Sequence, residues 1–414
     1  MNRRLLFLLI GLWAVKAIFL ALDSEPSFHF RESAVYLATA IGKWIPPDHS
    51  FVYGLLLRPV ALWPRSLAPI LIMQAALSGI ASWLIGVCLV RYFATGFMVA
   101  ALCSFACAIE PLQLRAERYV LTESVATFVF AVFLVAIFSY LKTSSLSLLA
   151  LIQILAVLLV TLRVNFVPAA WIASFFIPLA SRRAISFWRS SRQSIRRGTG
   201  QVKWISAVRF VVLPLLFSIL LSQSLLFGYR RLYSELLRQP AAYPNRASVP
   251  VSAEVAPRNF FDLLKRAGFR YAEYFDADRL RRSLQLDEGQ FVDALPGETQ
   301  AIKVAFGIDV TKQSSTSLTG LRSAPLTKRW QERSVMWCWF VILLPLFYLL
   351  YLAMNWRRIR VPHIIVGLCG LILLLEGVMP VESPNPRYLT TLAWLDFLMI
   401  GSAGTGLLKR GASS

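Results

Sequence analysis

Long apolar runs alternate along the chain with short connectors rich in Arg and Lys. About ten of these runs have roughly 15–24 residues, enough to cross a bilayer as helices. We therefore predict an all-α polytopic membrane helical bundle. The predicted spans are approximately 5–22, 67–90, 95–109, 119–141, 146–163, 166–180, 207–227, 334–353, 363–379 and 389–406. Only Arg163-Val-Asn165 separates the fifth predicted span from the sixth. Either of these two spans could instead be kinked or cross only part of the membrane.

Two polar stretches divide the chain into parts. Residues 1–228 form a predicted membrane domain whose first loop is 23–66, and residues 333–414 form the C-terminal membrane helices. Between them, residues 229–332 form an insertion with charges of both signs. Its stretch 259–286 has apolar positions at helical spacing, which predicts a small outward helical cap.

The loop 23–66 contains two predicted helices at the membrane interface. In 31–45, small and aliphatic side chains share one helical face, and the opposite face is polar, with Glu32 and Tyr36 on it. Such a helix lies flat on the bilayer with its apolar face in lipid. A shorter apolar helix is predicted at 51–63. The two helices are either surface anchors or the walls of a site.

The composition is that of a membrane protein. Hydrophobic residues make up 57% and charged residues 16%, whereas about a quarter of the residues in soluble domains are charged. This excludes an ordinary soluble enzyme and a disordered chain. An intramembrane acid is costly, so we expect Asp396 in the last predicted span to face the bundle interior and to have a hydrogen-bonding partner.

The net charge of +21 predicts the orientation. Basic residues gather in the loops on one side of the predicted bundle, and those loops contain no acidic residue. The positive-inside rule then predicts that both termini are cytosolic. The largest basic cluster, 182–209, is expected to face anionic headgroups, so we predict no nucleic-acid partner.

The opposite, outward side carries carboxylates and guanidinium groups near the ends of the spans. Arginine binds phosphate through bidentate hydrogen bonds, and a carboxylate can act as a general base. Each group alone is equally an interfacial anchor or an ion-pair partner, so their number on one side is the informative fact. The main candidates are Asp23, Glu25, Glu32, His49, Arg58, Arg118, Glu123, Arg163 and Arg387.

Several short motifs combine these residues. The first loop contains Glu32-Ser-Ala-Val-Tyr36-Leu-Ala-Thr-Ala40, followed by His49-Ser-Phe-Val-Tyr53-Gly-Leu-Leu. Further on come Arg118-Tyr-Val-Leu-Thr122-Glu123 and Arg387-Tyr388. In this order the motifs resemble the GT-C superfamily of polyprenyl-phosphate-sugar-dependent membrane glycosyltransferases, in particular its protein mannosyltransferase and lipid A aminoarabinose transferase group. Glu32 stands where that family usually has Asp, so Asp23 or Glu25 is an alternative acid.

The resemblance implies a reaction and a site. A polyprenyl-phosphate-linked sugar is the donor, and Glu32 or Asp23 deprotonates the acceptor, which attacks the anomeric carbon with inversion. Arg118, Arg163 and Arg387 stabilise the leaving lipid phosphate. The family allows a divalent cation without requiring one, and no metal ligands are assigned. The active face is the outer face of a bacterial inner membrane. The other substrate-binding residues are His49, Tyr53, Arg58 and Glu123.

Two other functions are ranked lower. A lipid-linked polysaccharide ligase or polymerase has a large late outward loop, which 229–332 matches, but the early acidic loop fits that class less well. A lipid or solute transporter typically has two repeat halves with paired broken helices. The chain shows no such halves.

Overall fold

The computed structural model describes residues 3–22, 33, 36, 39–40, 50–62, 68–196, 204–237, 335–356, 359–378 and 389–411. These residues are almost entirely helical and include no strand, so the all-α prediction is confirmed for them. Most of the insertion 229–332, with its predicted cap, lies outside the described residues.

The helices are α1 (Arg3–Leu22), α2 (Phe51–Leu62), α3 (Ala68–Tyr92), α4 (Phe97–Ala108), α5 (Pro111–Ala116), α6 (Glu123–Thr143), α7 (Leu146–Leu162), α8 (Val167–Trp171, Ile172–Phe176 and Ile177–Leu179), α9 (Arg182–Arg196), α10 (Trp204–Ala207, Val208–Val212 and Leu213–Leu237), α11 (Val335–Met354), α12 (Val361–Val378) and α13 (Leu389–Gly411).

Among the described residues, fewer helices are long and apolar enough to span a membrane than the sequence predicts. Among the described residues, α1, α3, α6 and Val208–Tyr233 of α10 are long and apolar enough to cross a membrane. A fifth span results if the bent pair Val164–Leu179 and Arg182–Trp188 counts as one. The prediction of about ten spans is therefore not supported. Hydropathy counts every apolar run, but α4 has 12 residues, about 18 Å of helix against a hydrocarbon core of about 30 Å.

The bundle is built around α3 and α6. Helix α3 packs against α1, α4 and α6, and α13 packs against α3, α4 and α6. Trp394 of α13 is fully buried in this core, where its indole N–H donates to the Ala81 carbonyl of α3 at 2.9 Å. Its ring meets Phe130 of α6 edge to face. The late helix α13 is therefore part of the same core as the early ones.

The outer surfaces of the long helices are apolar. Phe7 on α1 is 69% exposed, and Leu220 and Phe227 on α10 are 64% and 68% exposed. A water-soluble chain rarely exposes such contiguous apolar surface, whereas lipid is the natural solvent for it because every helical backbone group is already bonded internally. The structure is thus that of a helical membrane protein.

Helix α8 is broken. This agrees with the alternative prediction that the span 166–180 is kinked or partial. Its middle, Ile172–Phe176, is a π-helical turn, and the α8–α9 pair is bent by 52°. The Ala173 carbonyl accepts a hydrogen bond from the side-chain amide of Gln153 at 3.1 Å and one from the Ser218 hydroxyl at 3.5 Å. Side chains of α7 and α10 therefore satisfy the Ala173 carbonyl at the point where the α-helical hydrogen-bond pattern of α8 is interrupted.

The two ends of α6 differ in their surroundings. Its 21 residues extend about 31 Å, close to the thickness of a hydrocarbon core. Its C-terminal end lies in a basic region, because the Lys142 ammonium donates to the Arg91 carbonyl at 2.7 Å and the Arg183 amide lies 3.4 Å from the Ser144 hydroxyl. We call this the basic end, defined by Arg91, Lys142, Arg182 and Arg183. These residues belong to the loops that were predicted to share one side.

The close packing of α13 generates the first prediction. A Cβ at Gly401 would lie 2.5 Å from a Leu89 methyl group and 3.2 Å from the Cys103 sulfur, whereas one at Gly404 would meet nothing within 4 Å. We expect Gly401→Leu to destabilise the protein by about 1–3 kcal/mol through overpacking. Gly404→Leu makes the same change one turn later and should leave the thermal midpoint in detergent near that of the wild type. Equal losses in the two variants would contradict this packing.

Candidate functional site

A short irregular segment between α4 and α6 brings charged residues into the bundle. Helix α5 begins at Pro111, whose missing N–H costs nothing at that position. The Glu110 carboxylate caps α5 by accepting from the Gln113 amide at 2.7 Å. The Gln113 side chain in turn donates to the Thr390 carbonyl at the start of α13, at 2.8 Å. The segment is thereby anchored at the end of the bundle opposite the basic end.

The backbone after α5 is satisfied by α3. The Gln74 side-chain amide donates to the carbonyls of Glu117 and Tyr119, at 3.2 and 3.0 Å. Non-helical backbone at membrane depth is tolerated only where other groups satisfy it. Gln74 is completely buried, so its amide is part of the support that keeps residues 117–119 inside the protein.

A buried ion triad follows from this placement: Lys16, Glu117 and Arg118. The Lys16 ammonium forms an ion pair with one carboxylate oxygen of Glu117 and also donates to the Ala108 carbonyl at 2.6 Å. The other Glu117 oxygen lies 3.9 Å from Nη1 of Arg118. Lys16 is 2% exposed and Glu117 is fully buried. Charges removed from solvent this completely are stable only when paired.

A second ion pair joins the ends of α6 and α7. Nη2 of Arg163 lies 3.5 Å from Oε1 of Glu123, and both side chains are nearly buried. Arg163 ends α7 in an extended conformation, and Glu123 lies in the first turn of α6, where the helix dipole favours a negative charge. The arginine and the carboxylate therefore meet at the same end of the bundle as the ion triad.

Helix α2 closes this end through Tyr53. The buried Tyr53 hydroxyl donates to Oε1 of Gln74 at 3.3 Å, and its ring meets Tyr36 edge to face at 4.9 Å. Burial raises the pKa of Tyr53 well above its usual value, and the Glu123 carboxylate adds to the rise. The hydroxyl therefore remains a hydrogen-bond donor at neutral pH.

Of the predicted helix 31–45, the structure describes Ser33, Tyr36, Thr39 and Ala40. All four are helical and buried. A Cβ on Gly54 would come within 2.5 Å of the Thr39 side chain, so glycine allows the close approach to α2. The face that the sequence assigned to Tyr36 thus packs on the bundle.

The structure brings together four of the predicted site residues and leaves the others apart or undescribed. Tyr53, Arg118, Glu123 and Arg163 lie at one end of the bundle. Arg58 is half-buried on α2 and forms no ion pair within the described residues. In the described part of the chain, no three His, Cys, Asp or Glu side chains are grouped to hold a metal ion. The remaining predicted residues, Asp23, Glu25, Glu32, His49 and Arg387, lie outside the described residues.

Sequence reasoning missed Lys16 and Gln74. Both are polar residues within apolar runs that were counted as spans. An ionisable group inside a predicted span is itself a signal of a buried partner, and Lys16 carries that signal. Asp396 was noticed for this reason, and its burial is confirmed at 2% exposure. The hydrogen bond expected for it is not found, because neither carboxylate oxygen has a partner among the described residues.

No family model, curated protein or solved structure matches this chain. The resemblance to GT-C enzymes therefore rests on the short motifs alone.

The ion triad generates the second prediction. Lys16→Met leaves the buried Glu117 without its closest counter-charge, so we expect a loss of about 3–5 kcal/mol of stability. Adding Glu117→Gln removes the uncompensated charge, so the double variant should be more stable than Lys16→Met alone. Thermal midpoints of the wild type, both single variants and the double variant in one detergent measure this coupling.

The exposed pair Arg231–Glu235 on α10 is the matched control. Its atoms lie 3.0 Å apart, but the side chains are 72% and 56% exposed. Such a pair contributes about 0–1 kcal/mol, so Arg231→Met should change the midpoint little. If Lys16→Met were as harmless as Arg231→Met, the buried pair would not stabilise the fold.

Proposed function

We propose that this chain is an integral membrane glycosyltransferase of the GT-C type. It transfers a sugar from a polyprenyl-phosphate donor to a lipid, glycan or protein acceptor. In this proposal the reaction takes place at the outer face of a bacterial inner membrane, and both termini are cytosolic. The proposal is carried by two ion pairs at one end of the bundle, near α2. Arg118 lies beside Glu117, and Arg163 lies beside Glu123.

The two arginines suit a lipid phosphate. A guanidinium presents a planar fork of donors that matches phosphate geometry. The carboxylates of Glu117 and Glu123 keep the arginines inside the bundle, so the positive groups are already oriented before the donor binds. In a low-dielectric site, oriented donors stabilise the charge that develops on the leaving phosphate without reorganisation.

The interfacial helices suit the acceptor side of the same site. The buried polar face with Tyr36 and Thr39 packs beside Tyr53, whose hydroxyl stays protonated. Its single O–H donates to Gln74 in the structure, so in this proposal it exchanges that partner for a sugar oxygen or the donor phosphate when substrate binds.

The proposed step is an inverting displacement. Glu32, with Asp23 as the alternative, accepts the proton of the acceptor hydroxyl or amine. The acceptor atom forms a bond to the anomeric carbon while the bond from that carbon to the phosphate oxygen breaks. The electron pair leaves with the polyprenyl phosphate, beside Arg118 and Arg163.

The third prediction concerns donor affinity. We expect Arg163→Gln to weaken binding of a polyprenyl-phosphate sugar by roughly 10–100-fold, because one charge-assisted contact to phosphate is lost. Arg163→Lys keeps the charge but not the fork, so it should fall between Arg163→Gln and the wild type. Dissociation constants for the purified protein by native mass spectrometry measure this. The control is Arg231→Gln on exposed α10. Unchanged affinity in Arg163→Gln would remove Arg163 from the site.

The fourth prediction separates binding from transfer. Purified protein is given a panel of polyprenyl-phosphate sugars and acceptors, with and without EDTA. We expect Glu32→Gln to lower transfer by at least about a hundredfold, the usual contribution of a general base, and to keep donor affinity. Glu235→Gln, an exposed acid on α10, is the matched control.

Other outcomes lead to different conclusions. Transfer that survives in Glu32→Gln assigns the base to Asp23 or Glu25, and the corresponding amide variants then decide between them. Transfer from lipid-linked oligosaccharides only indicates a polysaccharide ligase or polymerase. Movement of donor lipid across a vesicle membrane without transfer to any acceptor indicates a transporter and contradicts the proposal.

A further inference from the structure

The basic end of the bundle contains a separate cleft of about 510 Å³. It lies where α3 and α6 end and where α9 and α12 begin, next to Tyr92, Lys142, Arg182 and Val361. Its lining residues Phe138, Leu141 and Lys142 lie along α6 at about 22–28 Å from Glu123. It is therefore distinct from the proposed glycosyl-transfer site at the other end of the same helix.

The lining of this cleft combines positive charge with an apolar wall. Lys142 and Arg182 are its ionisable cations, and none of the described residues that line it is acidic. The wall is aliphatic and aromatic, with Phe138, Leu141 and Val361 among its members. A water-soluble anion would use only the cations. An amphiphile with an anionic head and a hydrocarbon chain would use both parts of the lining.

The two cations are placed differently. The Lys142 ammonium lies 4.6 Å from the centre of the Tyr92 ring and donates to the Arg91 carbonyl. An ammonium has three donors, so this arrangement orients the group and leaves donors for a ligand. Arg182 is exposed and forms no ion pair within the described residues. It is the first residue of the 15-residue helix α9, whose positive dipole end adds to its charge.

We propose that this cleft binds an anionic phospholipid. The headgroup phosphate lies between Lys142 and Arg182, and an acyl chain lies along the wall formed by Phe138, Leu141 and Val361. The span-length helices α3 and α6 end at this level, which is the depth of phosphate groups in a bilayer. Arg91, whose carbonyl accepts from Lys142, adds to the positive potential. Basic pockets between membrane helices are typical binding sites for anionic headgroups.

The test uses the full-length protein in detergent with dioleoyl phosphatidylglycerol and dioleoyl phosphatidylcholine as competing probes. Native mass spectrometry counts the lipids that each protein molecule retains. We expect the wild type to retain phosphatidylglycerol in preference to phosphatidylcholine. Arg182→Gln should weaken retention of phosphatidylglycerol about fivefold, the effect expected for one cation near a headgroup. Ser186→Glu places a carboxylate in the lining and should abolish the preference.

Arg183→Gln is the matched control. It removes the same charge at the next position, but Arg183 does not line the cleft. We expect its retention to stay within about twofold of the wild type, since a screened charge outside the site acts weakly. Equal losses in Arg182→Gln and Arg183→Gln would mean diffuse attraction and would overturn the proposal. Unchanged retention in Arg182→Gln, or equal retention of the two wild-type probes, would do the same.

A further arm distinguishes a lipid from free phosphate. Glycerol phosphate carries the same anionic group without acyl chains. We expect it not to displace phosphatidylglycerol at concentrations where a second phosphatidylglycerol species does. Displacement by glycerol phosphate at equal concentration would show that the site recognises the phosphate alone, and it would overturn the assignment to a lipid.

Discussion

Irregular backbone inside a membrane protein must have its carbonyl and amide groups satisfied by other parts of the chain. Residues 117–119 meet this constraint through Gln74 of α3, and the neighbouring Gln113 side chain binds the start of α13. The same short segment carries Glu117 and Arg118. The hydrogen bonds that support this backbone therefore also position the two charged groups. A substitution in α3 or α13 that removes one of these bonds would displace the charges.

Charge is distributed along the bundle in a simple way. One end has carboxylates and arginines in contact, with Glu117 and Glu123 beside Arg118 and Arg163. The other end has cations without acids, as the lining around Lys142 and Arg182 shows. Paired charges can be buried, whereas unpaired cations need water, headgroups or a ligand. The two ends are therefore suited to different ligands, and α6 joins them directly.

Local patterns predicted the elements, but they did not predict lengths or distant partners. The predicted helices 51–63 and 67–90 correspond to Phe51–Leu62 and Ala68–Tyr92, because apolar runs that end near proline or charge are visible in sequence. The count of about ten spans is not supported, because some apolar runs form helices, such as the 12-residue α4, that are too short to cross a bilayer. The partner of Lys16 lies 101 residues away, and no local periodicity contains that information. Arg118 and Glu123 were singled out as charged groups near the ends of predicted spans, and the resemblance then supplied the order of their motifs.

The pairing of Lys16 also has a consequence for biogenesis. A ribosome adds Lys16 to the chain 101 residues before it adds Glu117, so the lysine reaches the bilayer before its counter-charge exists. Lys16 lies six residues from the end of α1, and a long side chain there can extend to the interface in the meantime. The first helix can therefore enter the membrane early but can take its final place only after α5 has followed. The order of synthesis makes the docking of the N-terminal helix a late event in assembly.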